Sequence, residues 1–378
     1  MTDLPEHNIL EVSLIGTGGG YGESVVIHLG HNNWIVVDSC YDPTSAKCLP
    51  LEYLKSKGVD IEHDVKLIIC THWHNDHIIG ISELLRSCKS SKFCMAQVTD
   101  TTKFLQLVEL DYNKLKGEAS ATSTSEIKNC LEIIRSRNSK SEQSVIIRAV
   151  QDKILSRFDQ DDIISKIFAL SPSDFVVNEF DRELSTLLSD FGCSNSKIVI
   201  QKPNNKSVAL LISVNTHYVL LGSDLEVSRD GRKGWLCILD RCNCIKNQKS
   251  SLFKIPHHGS QNGFHERIWE ELIEPNSIAN LTPWNLNGKL PEEKMLEKYL
   301  SLTENLYITS LNSKTYNPKK RERSISKAIS KFNSSLHEVK FSYGIVRCRL
   351  DVLRKESEWQ VDLFGEASKI SKELLKKN

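Results

Sequence analysis

Residues 65–77, VKLIICTHWHNDH, are the stretch that decides how this chain folds and what it can bind. The run VKLIIC has the length and composition of a buried strand. Directly after it come His72, His74, Asp76 and His77. Imidazole and carboxylate groups suit borderline divalent metals such as zinc or manganese, and a loop at the carboxyl end of a strand can turn several of them inward. The stretch therefore predicts a strand that ends in a metal-binding loop.

Two later segments repeat this arrangement of a strand followed by polar ligands. The run LLGSD ends in Asp224, and the run KIPHHGS carries His257 and His258, followed by Gly259, which permits close backbone approach. Taken alone, the aspartate is typical of a turn or a helix cap and the histidine pair of a surface turn. Because α/β sheets gather ligands at strand ends, the three segments together predict one site.

The sequence before this loop alternates as in a sheet, and the sequence around it adds helices. Short runs rich in β-branched residues predict strands at 9–15, 24–29 and 34–37, separated by glycine and asparagine turns. Residues 50–56 and 81–87 read as helices. Strands that alternate with helices are typical of an α/β layered fold.

The rest of the chain is predicted from the same patterns. Residues 101–190 are interpreted as a largely helical insertion, in which Ser123 and Glu126 form a capping box. Strands are then expected at 197–201, 207–214, 218–221, 252–255 and 306–309. Residues 314–378 are expected to hold a basic helix followed by closing strands at 343–352 and 359–363.

Composition limits the class of protein without naming a function. The 378 residues carry 49 Lys and Arg against 48 Asp and Glu, so any footprint on nucleic acid must be local. No apolar run approaches the roughly 20 residues of a membrane span. Eleven scattered cysteines and the absence of a secretory signal pattern predict reduced thiols and a cytoplasmic location. Cys237, Cys242 and Cys244 fit no standard zinc spacing and are interpreted as buried or incidental thiols.

The order of the motifs resembles that of the metallo-β-lactamase superfamily, whose signature is His-x-His-x-Asp-His after an apolar strand. Residues 72–77 match that signature in full, and Asp224 takes the place of the metal-bridging aspartate. Within the superfamily the chain looks most like the ComEC-like branch, which includes the hydrolase domain of bacterial DNA-uptake proteins. The blocks that resemble this branch extend over most of the chain: 16–20 with Ser24, 36–39, 170–172, 205–208, 222–226, 256–260, Thr309 and 343–346.

This resemblance implies a fold, a pair of cations and their ligands. The implied fold is a metallo-β-lactamase-like αββα sandwich, in which two mixed sheets are flanked by helices, as a single domain over residues 1–378 with the helical insertion. The implied cofactors are two divalent metal ions, zinc or manganese. Their implied ligands are His72, His74 and Asp224 for the first ion, and Asp76, His77, Asp224 and His258 for the second.

Further residues acquire roles from the same resemblance. Asp76 would also orient the attacking water, and His257 would act as general acid or phosphate contact, although the roles of His257 and His258 are interchangeable at this stage. Three other residues complete the expectations. Asn205 and Ser207 either donate hydrogen bonds to substrate or cap a strand turn. Asp38 is expected behind the ligands, where its carboxylate would fix an imidazole tautomer.

Two departures from the family pattern concern the first ion. The superfamily has a further histidine between the first cluster and the bridging aspartate, yet no histidine occurs from residue 78 to residue 216. His217 is too close to Asp224 and reads as structural, and Leu290 stands where relatives of this branch carry histidine. The first ion would then keep three protein ligands and be held more weakly than the second.

These features predict a metal-dependent phosphodiesterase, most specifically a nuclease acting on DNA or RNA, in a free-standing chain that would suit a bacterial defence or toxin system. Two alternatives remain open: hydrolysis of a small phosphodiester, such as a cyclic nucleotide or phosphocholine-type ester, and a metal-poor scaffold whose insertion binds a protein partner. Nucleic acid is the expected partner.

Two further segments, one basic and one rich in glycine, are candidate binding elements. Seven lysines and arginines between residues 314 and 331, opposed only by Glu322, fit either a track for a nucleic-acid backbone or the solvated face of an ordinary amphipathic helix. The glycine run at 16–22 lacks the Lys-Ser/Thr ending of a phosphate-binding loop and precedes a strand, so a hairpin turn is predicted there.

Overall fold

The structure is a computed structural model of the chain. It describes residues 3–18, 22–42, 45–114, 123–138, 146–191, 203–284, 290–310, 343–354 and 356–376. The basic run at 314–331, the predicted strand at 197–201 and the middle of the glycine run at 19–21 lie outside these ranges. No described helix is long and apolar enough to cross a membrane.

Sixteen described strands form two eight-stranded sheets. The strands are β1 (Ile9–Thr17), β2 (Glu23–Leu29), β3 (Trp34–Val37), β4 (Val65–Cys70), β5 (Lys92–Ala96), β6 (Ile146–Ala149), β7 (Lys153–Gln160), β8 (Ile163–Ala169), β9 (Leu210–Val214), β10 (His217–Leu221), β11 (Ser250–Lys254), β12 (Ile273–Leu281), β13 (Leu306–Ile308), β14 (Tyr343–Asp351), β15 (Gln360–Gly365) and β16 (Ser368–Lys369). The first sheet has the order β15-β14-β1-β2-β3-β4-β5-β6, and the second β16-β13-β12-β11-β10-β9-β8-β7.

Both sheets are mixed. Strands β3, β4, β5 and β6 pair in parallel in the first sheet, and β10, β11, β12 and β13 do so in the second. The remaining pairs are antiparallel. Parallel strands need crossover connections, which this chain supplies mostly as helices on the outer faces.

Helices cover the outer face of each sheet. They are α1 (Leu49–Lys57), α2 (Ile61–Asp64), α3 (Asn75–Ile78), α4 (Ile81–Ser87), α5 (Thr101–Lys114), α6 (Ser123–Asn138), α7 (Asp174–Phe191), α8 (Gly234–Arg241), α9 (Glu266–Leu272), α10 (Glu293–Leu300) and α11 (Lys372–Lys376). Apolar residues of α1 and α3–α7 pack on the first sheet, and those of α8–α10 pack on the second. The predicted αββα sandwich, two mixed sheets flanked by helices, is thereby confirmed.

The main core lies between the sheets and follows from the alternation of each strand. In β1, Leu10, Val12 and Leu14 face the second sheet, whereas Ile15 faces the helices. Side chains on successive residues of a strand point to opposite faces, so an uninterrupted apolar strand supplies both cores at once. This is why β4, which is apolar almost throughout, is buried on both faces.

The insertion at 101–190 differs in part from the prediction. Helices α5, α6 and α7 lie there as expected, but the same range also supplies β6, β7 and β8. Strand β6 extends the first sheet and β7 and β8 extend the second, so this range is part of the sandwich as well as a helical layer. The strands were missed because β6 and β7 are edge strands of mixed polar and apolar residues, and β8, which pairs with β7, carries the polar residues Ser165 and Lys166 in its middle.

Other predicted elements agree with the structure to within a few residues. Strands β1, β2, β3 and β4 begin or end within two residues of the predicted limits, as do helices α1 and α4. Strands β5 and β12 were not predicted. Strand β12 contains the sequence EPNS, and its residues 274–276 are exposed, which hides its strand character from a search for apolar runs.

Candidate metal centre

The histidine loop leaves the carboxyl end of β4 at the edge where the two sheets meet. His72, Asp76 and His77 are buried, and His74 is half-buried at the cap position that precedes α3. The carboxyl ends of β10 and β11, in the other sheet, bring Ser223 with Asp224 and the pair at 257–258 to the same edge. All three predicted segments therefore converge, as the positions of their strand ends require.

Four of the predicted ligands form a closed group. The donor atoms of Asp76, His77, Asp224 and His258 all lie within 4.8 Å of one another. His77 Nε2 is 3.5 Å from Asp76 Oδ2 and 3.4 Å from Asp224 Oδ1. His258 Nε2 is 3.3 Å from Asp76 Oδ2. The structure thus places His258, rather than its neighbour His257, in this group.

A second group shares one carboxylate with the first. It consists of His72, His74 and Asp224. The nitrogens His72 Nε2 and His74 Nδ1 lie 3.1 Å apart, and His72 Nε2 is 3.9 Å from Asp224 Oδ2. Within the described residues this group offers three protein donors, which agrees with the absence of a further histidine from the intervening sequence.

Hydrogen bonds on the far side of each ring turn Nε2 of three imidazoles toward the centre. Asp38 Oδ2 accepts from His77 Nδ1 at 2.8 Å, and the carbonyl of Thr282 accepts from His258 Nδ1 at 3.0 Å. His72 Nδ1 lies 3.1 Å from the hydroxyl of Thr71. That hydroxyl donates to Asp38 Oδ2 at 2.6 Å. Such partners fix the ring orientation and the tautomer of a metal-binding histidine.

The chemistry of the donor set fits divalent cations. His77 Nε2, His258 Nε2 and Asp224 Oδ1 are buried, and none makes a hydrogen bond within the described part of the chain. Buried polar atoms are nearly always satisfied, so unsatisfied donor atoms that face one another indicate a missing partner. Imidazole nitrogens and carboxylate oxygens are ligands of zinc and manganese.

The electrostatics of the protein alone point the same way. Burial raises the pKa of Asp76, but the imidazoles of His77 and His258 outweigh it and lower that pKa to about 2. Burial disfavours the imidazolium form of His77, but the neighbouring carboxylates outweigh it and raise its pKa well above the usual value. The carboxylates therefore attract positive charge into a buried site, and a divalent cation would displace the proton.

Four residues at this site have strained backbone angles. Asp38, Ser223, His257 and His258 have φ angles between 47° and 59°, in the left-handed region that residues with a Cβ seldom adopt. Strained residues persist where the surrounding structure over-determines them, and they cluster at functional sites. The strain at 257–258 is what turns both imidazoles out of the end of β11.

His257 borders the metal-binding group on its exposed side. Its ring centroid is 6.2 Å from that of His258. Its Nε2 lies 3.1 Å from Asn204 Nδ2, and its Nδ1 lies 3.0 Å from Ser260 Oγ and 3.4 Å from Glu226 Oε1. His257 is thus held in place without being one of the grouped donors.

The two residues expected to contact substrate have different settings. Asn205 is half-buried in the short 3-10 helix Pro203–Lys206. Ser207 is fully buried, and its hydroxyl makes no hydrogen bond within the described residues. Next to it, the amide of Val208 donates to the carbonyl of Thr71 at 3.0 Å, so this segment lies directly against the start of the histidine loop.

Helices of the insertion grip the histidine loop. The ring of Trp73 packs 5.0 Å from Phe104 of α5 and 5.1 Å from Phe180 of α7. The amide of Ser123, at the start of α6, donates to Asn75 Oδ1 at 3.0 Å. Contacts from all three helices therefore fix the two residues that alternate with the ligands.

Glu126 has a different role from the one predicted. Its carboxylate accepts from the amide of Ser82, in the first turn of α4, at 3.0 Å. It therefore caps the neighbouring helix rather than its own. The capping-box spacing was present in the sequence, but tertiary packing decided which free amide the carboxylate meets.

Sequence reasoning missed several residues that support the site. Thr71 and Glu226 adjoin predicted ligands, so their positions beside the motifs were the available signal. Asn204 adjoins the predicted Asn205 and had the same signal, whereas Thr282 gave none, because it follows β12, which was not predicted. The buried ion pair between Lys254 and Glu23 was also missed; Lys254 donates in addition to the carbonyl of Ser223 at 3.2 Å.

Comparisons with known proteins support this description of the fold. Residues 17–98 match the profile of the family described as "Metallo-beta-lactamase superfamily", and they include the whole histidine loop. No curated protein matches the chain.

Solved structures give weaker similarity. The metallo-β-lactamase SMB-1 in complex with mercaptoacetic acid is 13% identical with a TM-score of 0.28, covering 57% of this chain and 66% of that one. A putative metallo-β-lactamase from Thermotoga maritima is 14% identical with a TM-score of 0.28, covering 56% and 79%. A metallo-β-lactamase of Cronobacter sakazakii with a HARLDQ motif is 9% identical with a TM-score of 0.31, covering 62% and 71%. At such TM-scores none of these proteins assigns a substrate or a reaction to this chain.

Proposed function

We propose that this protein is a metal-dependent hydrolase that cleaves phosphodiester bonds in nucleic acid. The observation that carries the proposal is the sharing of Asp224 by two adjacent groups of donors, of which all but His74 are buried. One carboxylate between two donor groups would allow this chain to hold a pair of divalent cations, the cofactor arrangement of two-metal phosphodiester hydrolysis.

The donor groups and the residues around them would hold the cations and orient the attacking water. When bound, divalent cations lower the pKa of a coordinated water toward neutrality and polarise a phosphoryl oxygen. Asp76 lies between the imidazoles of His77 and His258, where its carboxylate can accept a hydrogen bond from the attacking water. Asp38 keeps the proton of His77 on Nδ1 and thereby leaves Nε2 free to act as a ligand.

We assign His257 the role of passing a proton to the leaving oxygen. It lies beside the donors without belonging to either group, and it is more exposed than His258. Glu226 and Ser260 flank its Nδ1, and Asn204 lies at Nε2. A general acid must reach the substrate from outside the ligand set, which this position allows.

Nucleic acid is proposed as substrate on the strength of the motif order. The resemblance to the ComEC-like branch and the His-His-Gly-Ser run at 257–260 support a phosphoester rather than a lactam or thioester. Small phosphodiesters contain the same bond but lack the extended negative charge of a nucleic-acid backbone. Cleavage of small phosphodiesters alone would therefore replace nucleic acid as the proposed substrate.

The experiment is a cleavage assay on the purified chain. Single- and double-stranded DNA and RNA, and bis(p-nitrophenyl) phosphate, are each incubated with Mn²⁺, Zn²⁺ or Mg²⁺. The wild type is expected to cleave a nucleic acid, and His74→Ala and Asp224→Ala are expected to lose that activity by at least two orders of magnitude. His217→Ala is the matched control, because His217 is a half-buried histidine outside both donor groups.

The outcomes separate the alternatives. Nuclease activity that falls steeply with ionic strength supports a polyanionic substrate. If the enzyme instead hydrolyses only the small ester, and does so independently of salt, the substrate is a small phosphodiester. Cleavage undiminished in both variants means that the activity does not come from this site. Less than one equivalent of metal in protein purified without chelator, together with no cleavage, would leave a scaffold function.

A further inference from the structure

A third group of metal-binding side chains lies outside the metal centre, where α8 ends against the turn between β6 and β7. Its members are Asp152, Cys242 and Cys244, whose donor atoms all lie within 4.8 Å of one another. The group shares no residue with the two groups that meet at Asp224. From the sequence these thiols are interpreted as buried or incidental, because their spacing fits no standard zinc site; the third donor, Asp152, is ninety residues away in the chain.

The backbone, rather than chance side-chain rotation, holds the three donors together. The sulfurs of Cys242 and Cys244 are 3.3 Å apart, and Cys242 Sγ is 3.1 Å from Asp152 Oδ1. The amides of Asn243 and Cys244 donate to that same oxygen at 2.7 and 2.9 Å. Asp152 itself has a φ of 66°, a strained value for a residue with a Cβ.

We propose that Asp152, Cys242 and Cys244 bind one thiophilic divalent cation of the zinc class, through two thiolates and a carboxylate. Thiolate ligands select zinc and similar soft ions. Two sulfurs on a tetrahedral zinc ion lie about 3.8 Å apart when each Zn–S bond is about 2.3 Å. The thiols therefore need to separate by only about 0.5 Å from their present distance of 3.3 Å. Binding releases the two thiol protons to solvent, and water completes the coordination.

The surroundings favour a cation over a disulfide. Asp152 Oδ1 lies 3.1 Å from the sulfur of Cys242, and the two sulfurs are 3.3 Å apart, well beyond the roughly 2.05 Å of an S–S bond. A carboxylate beside two thiols supplies negative charge that attracts a divalent cation, which can displace the thiol protons.

A cation here would connect two segments that are far apart in sequence, the turn between β6 and β7 and the end of α8. Asp152 lies in the turn through which the chain passes from the edge strand of the first sheet to that of the second. Cys242 directly follows α8, which packs on the outer face of the second sheet. The cation would tie the helix end to this crossing. This inference does not depend on the proposed phosphodiesterase activity.

Cobalt titration of the full chain under reducing conditions tests the site. Thiolate-bound Co²⁺ gives a strong near-ultraviolet charge-transfer absorption that histidine and carboxylate ligands do not give. We expect this absorption in the wild type, its loss in Cys242→Ser/Cys244→Ser, and a fall of one equivalent in bound zinc. Cys237→Ser is the matched control, because Cys237 is a buried thiol of α8 outside the group and should leave the absorption unchanged.

A subtler variant guards against misfolding. Asp152→Asn keeps both thiols and an acceptor for the two amides, so the fold should persist by circular dichroism. It is expected to lower the cobalt affinity by roughly tenfold or more, at least the effect of losing a hydrogen bond to a metal ligand. Charge-transfer absorption that is absent from the wild type, or retained in the double variant, would overturn the proposal. So would a pair of thiols that becomes titratable only after reduction, since that result identifies a disulfide.

Discussion

At the scale of single residues, the candidate metal centre depends on groups outside the two donor groups. Asp38 accepts hydrogen bonds from His77, from the amide of Thr71 and from the Thr71 hydroxyl. Its three partners are parts of the histidine loop, so one buried carboxylate sets the geometry of that loop. The sequence indicated the role of Asp38 only through its resemblance to the family, because its position after β3 carries no pattern of its own.

Asp38→Asn should weaken metal binding without unfolding the protein. The amide keeps the size of the side chain but loses the charge that stabilises the Nδ1 proton of His77. Loss of such a partner typically lowers metal affinity by about 10–100-fold. Isothermal titration with Zn²⁺ measures the change, and Asp60→Asn, at an exposed carboxylate, is the control. Equal affinity in both variants would show that Asp38 does not orient the ligand.

The buried pair of Lys254 and Glu23 joins the two sheets beneath the same centre. Both side chains are nearly inaccessible, and they come from β11 of the second sheet and β2 of the first. Because removing one partner leaves the other charge buried and unpaired, Lys254→Met should lower the free energy of unfolding by about 3–5 kcal/mol.

Removing both charges gives a different expectation. The double variant Lys254→Met/Glu23→Leu should recover much of that loss, because well-packed apolar residues often replace a buried pair at little cost. Urea unfolding of the two variants and the wild type measures both effects. A single variant as stable as the wild type would contradict the pairing seen in the structure.

At the scale of elements, the helices α5, α6 and α7 of the insertion contact the histidine loop directly. Trp73 lies between two ligands of the loop, and its ring packs on α5 and α7. The amide of Ser123 in α6 reaches Asn75 in the same loop. Movement of these helices would therefore be transmitted to the ligands.

Trp73→Ala is expected to lower both stability and metal affinity, whereas Trp73→Phe should keep most of each. Truncating a large aromatic side chain costs about 3–5 kcal/mol when it is fully buried, so a loss of about 2 kcal/mol is expected for this half-buried residue. Thermal unfolding with and without Zn²⁺ separates the two effects. If Trp73→Ala loses stability but binds zinc as tightly as the wild type, the helices do not position the loop.

Sequence patterns predicted some of the strands and missed others. Strand β4 was located to the residue because it is apolar on both faces. Strand β12 was not predicted, because residues 274–276 at its exposed end interrupt the apolar run. Strands β6 and β7 were not predicted because they are edge strands with polar residues on their open side, and β8 was not predicted because Ser165 and Lys166 interrupt its apolar run. Apolar sequence patterns predict strands that are buried on both faces. They do not reveal strands whose burial depends on a partner strand distant in sequence.

At the scale of the whole molecule, the site exists because two sheets end at one edge. Strand β4 belongs to the first sheet, and β10 and β11 belong to the second. The ligands could be foreseen because each follows a strand, but the pairing of His258 rather than His257 with Asp76 required the backbone turn at 257–258. The hydrogen bond from His258 to the carbonyl of Thr282 required β12 as well.

The proposed function requires two cations, one on either side of Asp224. Anomalous diffraction from crystals grown with Mn²⁺ or Zn²⁺ tests this requirement. Two peaks about 3.5–4 Å apart are expected, one against His72 and His74 and the other against His77 and His258, with Asp224 in contact with both. Peaks that avoid Asp224, or no peak at this edge of the sheets when metal is bound elsewhere, would contradict it.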